Sequence, residues 1–147
     1  KWYGERKPSM ETPFHTAIYR ARKDVGAVIH CHPPSCTVLA IAGIQVRPTV
    51  TPEGAMVLGR EVPTAPYATP GSEELAQVVV GALSASNACL LQKHGAVAVG
   101  RDLMEAFNRL ETLEYIATLQ LDSADIGRFD TLPEQEIDLL LKEKDKS

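Results

Sequence analysis

The chain has 147 residues, with 15 lysines and arginines against 19 acidic residues and a net charge of −4. At 44% hydrophobic and 23% charged it has the composition of one folded domain, and it is long enough to bury a core. That balance excludes a disordered chain and, lacking a basic excess, a nucleic-acid binder. No apolar run approaches the roughly 20 residues that a membrane-spanning helix needs. Cys31, Cys36 and Cys89 make neither an even disulfide framework nor a CxxC pair, which points to a reducing compartment. The polar start, Lys1-Trp2-Tyr3-Gly4-Glu5-Arg6-Lys7, has no signal-peptide pattern, so a cytoplasmic location is expected.

In chain order, a first helix is expected from about Thr12 to Lys23, with Pro13 in its first turn and Phe14, Ile18 and Ala21 as its apolar stripe. Ala27 to His32 reads as a buried strand that Pro33-Pro34 terminates. Ser35 is expected to cap a short helix running to Ile41, with Gly43 just beyond it. Residues 44–71 carry five prolines and three glycines, which predicts turns and short strands supported by Val46, Val50, Val57 and Val62. Ser72 caps the next helix, whose apolar face is Leu75, Val78, Val79, Ala82 and Leu83. Ala88–Gln92 and Ala96–Val99 are strands joined by the turn Lys93-His94-Gly95. Asp102 and Glu105 resemble a capping box for the longest helix, with Leu103, Phe107, Leu110, Leu113, Ala117 and Leu121 facing inward. Pro133 opens a last short helix through Lys142, and the tail to Ser147 is a solvated end. Helices interleaved with short, hairpin-joined strands define a layered α/β (α+β) domain.

The chemistry lies in the histidines. His30 and His32 stand at i and i+2, so a strand turns both imidazoles to one side. Two imidazoles at the end of a buried strand need a partner, and a divalent ion such as zinc is a good one. Taken alone, the pair reads equally well as one hydrogen-bonded core histidine beside an exposed one. His94, in a turn just before Gly95, is placed to supply a third ligand, which would leave zinc one open, catalytic position; alone it is an ordinary surface turn residue. Glu11 can ligate a metal or act as general base, although its spacing also suits a helix N-terminal acid favoured by the dipole. His15 reads as a packing or supporting residue and Cys31, turned to the other side, as a core residue. Tyr19, Tyr67 and Tyr115 read as packing aromatics, and Lys93 as a solvated turn lysine.

In order, Lys7-Pro8-Ser9-Met10-Glu11, Phe14-His15, His30-Cys31-His32, Ala65-Pro66-Tyr67-Ala68-Thr69-Pro70-Gly71 and Gln92-Lys93-His94-Gly95 resemble the class II aldolase/adducin family, most closely its L-fuculose-1-phosphate aldolase type. The resemblance covers the chain from about Lys7 to the final helix. It implies a single class II aldolase-like domain, 1–147, with a central, mainly antiparallel sheet flanked by helices. It implies zinc, or another divalent ion, on His30, His32 and His94. It implies that Glu11 is both a ligand at rest and the acid/base of an aldol cleavage, and that Ser9 binds substrate. The implied substrate is a small ketose 1-phosphate split into dihydroxyacetone phosphate and an aldehyde, and the implied assembly is a homotetramer.

Three departures stand out. The family's phosphate-binding loop before this segment has no counterpart, so the chain is expected to lack an N-terminal portion. Met10 replaces the second serine of the family's pair, and no tyrosine lies near Lys142–Ser147. An epimerase, dehydratase or decarboxylase on the same metal site is the alternative enzyme reading. A non-catalytic adducin-like module is the alternative of another class, and the full set of histidines speaks against it.

Overall fold

The computed structural model describes residues 3–144. Four short strands form one mixed sheet: β1 (Ala27–Cys31), β2 (Thr64–Ala65), β3 (Ala88–Leu91) and β4 (Gly95–Gly100), in the order β1-β4-β3-β2. The pairings β1–β4 and β4–β3 are antiparallel and β2–β3 is parallel, so the sheet is mainly antiparallel as expected. Six helices flank it: α1 (Thr12–Ala21), α2 (Pro34–Ala42), α3 (Pro52–Leu58), α4 (Glu73–Ala82), α5 (Leu103–Asp125) and α6 (Glu134–Lys144). Lys1, Trp2 and residues 145–147 of the expected solvated tail lie outside the described residues.

Side-chain alternation sets the layers. Ala88, Leu90, Ala96 and Ala98 turn to one face of the sheet, where α2, α3 and α5 bring Leu39, Leu58, Leu113 and Ile116 against them. Cys89, Leu91, Val97 and Val99 turn to the other face, under Phe14 and Ile18 of α1 and Leu75 and Val79 of α4. The small alanines on the first face let the 23-residue α5 lie close to the strands.

The helix ends show why the segments fold as they do. The Ser72 hydroxyl accepts from the Leu75 amide and Asp102 from the Glu105 amide, both as expected. The Glu105 carboxylate reaches back one residue further than a capping box, to the Arg101 amide. α1 stops at Ala21, short of Lys23, because Arg22 leaves helical geometry and its guanidinium holds the Leu83 and Ser86 carbonyls, Asn87 and Asp24. That guanidinium lowers the Asp24 carboxyl to about 2.

Several expectations are corrected. Ser35 does not cap α2: its hydroxyl bonds Thr118, and the free Ser35 and Cys36 amides are taken by the two carboxylate oxygens of Glu114, at 2.9 Å each. Residues 44–71 hold little sheet. Val57 lies in α3, and Val46, Val50 and Val62 lie outside any strand. Thr51 caps α3 by accepting from the Gly54 amide, Pro52 follows it and Glu53 sits in the first turn, so three helix-start signals prevail there over β-branching. On α5, Leu103 and Phe107 are exposed and the buried face runs through Ala106, Leu110, Leu113, Ile116, Ala117 and Gln120. Gln120 can be buried because its amide accepts from the Arg47 N–H and donates to the Gln45 carbonyl. Tyr19, Tyr67 and Tyr115 are exposed, not packed.

Replacing Glu114 by alanine strips both amides at the start of α2 of their partner. The expected loss is about 1–3 kcal/mol of stability, read as a lower urea midpoint with an unchanged slope. A wild-type midpoint would show that water serves these amides equally well.

Candidate metal centre

Three segments meet at one end of the β1–β4–β3 ribbon. β1 carries His30 opposite Val97, on the α1 side of the sheet, and Phe14 of α1 stands edge-on to its ring with centroids 5.3 Å apart. His32 follows just past the strand on the same side, where Pro33-Pro34 turn the chain into α2. His94 closes the three-residue turn Gln92-Lys93-His94 between β3 and β4. The turn needs a left-handed residue and Lys93 supplies it, with φ 59°, an exposed side chain and its amide bonded to the Ala40 carbonyl. Gly95 permits the close approach of the two arms. A Cβ there would stand 2.5 Å from the Cys31 carbonyl oxygen and 2.6 Å from His32 Cδ2.

The three imidazoles form a nearly equilateral triangle, with ring centroids 4.9, 4.9 and 5.0 Å apart. One ring nitrogen from each lies within 4.8 Å of the others, so the three residues are positioned for a metal ion. His30 Nδ1 lies 2.9 Å from the Ala96 carbonyl oxygen, which can only accept. Nδ1 therefore carries the proton, and Nε2 keeps its lone pair for a ligand. Burial pushes His30 and His94 below the usual imidazole range, so both stand neutral and ready to ligate.

Glu11 stands beside this cluster. It occupies the N-cap position of α1, yet its carboxylate makes no cap bond. Instead Oε1 stands 3.8 Å from His94 Nε2, and Oε2 is buried with no hydrogen-bond partner among the described residues. A buried carboxylate oxygen without a donor is costly, and a cation among the three imidazoles would satisfy it. The donor types thus fit a divalent ion: three imidazole nitrogens with a carboxylate beside them.

Ser9 stands outside this cluster. Its hydroxyl accepts from the Glu11 amide at 3.2 Å and its carbonyl from the Thr12 amide, so it shapes the turn that delivers Glu11. It also lines a cleft of about 540 Å³ with Lys7, Met10 and Gly71. His15 stacks on Phe14 at 4.6 Å, a supporting position. Cys31 does point away from the histidines, but it is exposed beside α5 and not in the core. Sequence reasoning gave no role to Gln92, whose side-chain oxygen accepts from the Tyr67 amide; its position beside the His94 turn was the available signal.

The chain belongs to the class II aldolase and adducin N-terminal domain family, whose pattern matches residues 1–121. It is 37% identical over 142 residues to the 5-methylthioribulose-1-phosphate/5-deoxyribulose-1-phosphate aldolase of Rhodospirillum rubrum, covering 97% of this chain and 64% of that protein. It is 38% identical over 124 residues to the 3-oxo-tetronate 4-phosphate decarboxylase of Escherichia coli, covering 81% of this chain and 58% of that one. Among solved structures it superposes on an L-fuculose 1-phosphate aldolase with a TM-score of 0.88 at 36% identity, over 95% of this chain and 65% of that one. The chain thus spans less than two thirds of the length of these relatives.

Gly95→Ala is expected to part the ends of β1 and β4 at the Cys31 carbonyl, push His32 out of the triangle and weaken metal affinity about 10- to 100-fold. Competition titration against a chelating dye, beside circular dichroism, checks this. Wild-type affinity would mean that His32 is not held by the approach of Gly95.

Proposed function

We propose that this chain is the metal-holding part of a class II aldolase that reversibly cleaves a small ketose 1-phosphate into dihydroxyacetone phosphate and an aldehyde. The observation that carries the reading is the buried, unpartnered Glu11 oxygen beside three converging imidazoles. Held by His30, His32 and His94, zinc or a similar divalent ion supplies Lewis acidity at the substrate carbonyl oxygen. His30 is fixed by its bond to Ala96, which presets the ring before any ligand arrives. Glu11 gives and takes the proton at the ketose carbon that carries the electron pair when the C–C bond breaks. Its carboxylate lies next to the imidazoles, with Oε1 3.8 Å from His94 Nε2 and Oε2 buried. Ser9 contributes a hydroxyl toward the substrate phosphate from the neighbouring cleft. A cytoplasmic homotetramer is part of the same reading.

Identity with the tetronate-phosphate decarboxylase supports a second reading, loss of carbon dioxide from an oxo acid phosphate on the same metal site. The product separates the two: an aldehyde with dihydroxyacetone phosphate, or carbon dioxide.

Elemental analysis of chain purified without chelator is expected to give about one divalent ion per chain, and His94→Ala is expected to lose it. Glu11→Gln is expected to keep most of the metal while turnover falls by about 100-fold or more. Turnover at the wild-type level in Glu11→Gln would remove Glu11 from the chemistry. Metal-free protein, even after zinc is added back, would favour an adducin-like binding module.

A further inference from the structure

Gln92 opens the turn that ends in His94 and makes contacts in two directions. Its amide donates to the Ala65 carbonyl at 3.0 Å, extending the β2–β3 pairing by one bond. Its side-chain oxygen accepts from the Tyr67 amide, also at 3.0 Å. The strand β2 has only two residues, so this side-chain bond takes over where the ladder ends. It fixes the start of the segment Pro66–Gly71. The far end of that segment lies on the Glu11 arm. The Ser72 amide closes a turn onto the Thr69 carbonyl, and Gly71, at φ 80°, approaches Met10 so closely that a Cβ there would stand 3.2 Å from the Met10 carbonyl oxygen. Met10 directly precedes Glu11. One three-residue turn thus carries His94 at its end and, through Gln92, a brace against the peptide before Glu11.

We propose that Gln92 is a positioning residue: by holding the Tyr67 backbone it braces the 66–71 segment against Met10, and so sets the distance of the Glu11 carboxylate from His30, His32 and His94. The bond is between a neutral amide oxygen and a backbone N–H, and Gln92 is only partly buried. Its effect is therefore geometric and not electrostatic. A displacement of the order of 1 Å in a catalytic group is enough to cost up to about 100-fold in rate.

This inference rests on the metal-dependent reading above, and its test separates the two. Cobalt(II) is titrated into the chain and the visible absorption of the bound ion is compared in wild type, Glu11→Gln, Gln92→Leu and Gln92→Glu. Gln92→Leu leaves the Tyr67 amide without an acceptor; Gln92→Glu keeps one. Expected are about one cobalt per chain in all four, and a Gln92→Leu spectrum displaced toward that of Glu11→Gln. Gln92→Glu is expected to follow wild type. The Tyr67 amide is expected to exchange with solvent at least about tenfold faster in Gln92→Leu alone. With a ketose 1-phosphate, kcat in Gln92→Leu is expected to fall about tenfold at a nearly constant KM. A Gln92→Leu protein with the wild-type spectrum overturns the inference and leaves the metal reading standing. Loss of cobalt in both Gln92 variants also overturns it, by showing a merely structural role. A wild-type chain that binds no cobalt sinks the metal reading itself, and the inference with it.

Discussion

The site depends first on the register of β1 against β4. Pairing His30 with Val97 puts its imidazole on the α1 side of the sheet, under Phe14 and toward His94. A slip of one residue would turn His30 and His32 to the α5 side and bring Cys31 to the place of a ligand. The register is held by what each face buries. Val28 and Val99 meet α1 and α4, while Ile29 and Ala98 meet α5. The same alternation that builds two cores therefore aims His30 and His32 at His94, and the Ala96 carbonyl in this ladder also orients the His30 ring.

The relatives illustrate how little the fold alone decides. An aldolase and a decarboxylase both share more than a third of their aligned residues with this chain. A metal that draws electron density through a carbonyl oxygen serves C–C cleavage and decarboxylation alike. What differs between such enzymes is which bond the pocket holds in line with that carbonyl.

Much of this was legible in the sequence, and the misses have physical causes. His30 and His32 are readable because strand periodicity is short-range, and Ser72 and Asp102 because a cap lies within three residues of its amide. The cap on α2 is not readable, because Glu114 arrives from 79 residues away along the chain. α3 is hidden by the prolines and glycines around it, although Thr51-Pro52-Glu53 carries a start signal that composition outweighs. The apolar stripe of α5 is real, but periodicity does not say how far along a helix its partners extend. Here the α2–α3 layer leaves Phe107 and Leu103 uncovered. Gln92 shows the same limit at the site: its acceptor role exists only once Tyr67 lies beside it.

The shortness of β2 also bears on how the protein behaves in a crowded solution. A sheet must end somewhere, and a terminal strand with free amides invites pairing with another copy. Here that strand has two residues and is bracketed by Pro63 and Pro66, neither of which has an N–H to offer. The Pro63 and Ala65 carbonyls are already engaged inward by the Leu90 and Gln92 amides, and the next amide along, Tyr67, is engaged by the Gln92 side chain. On its β2 side the sheet therefore closes on an edge that offers a stray strand almost nothing to pair with, and resistance to pairing there comes from the same few residues that border the His94 turn.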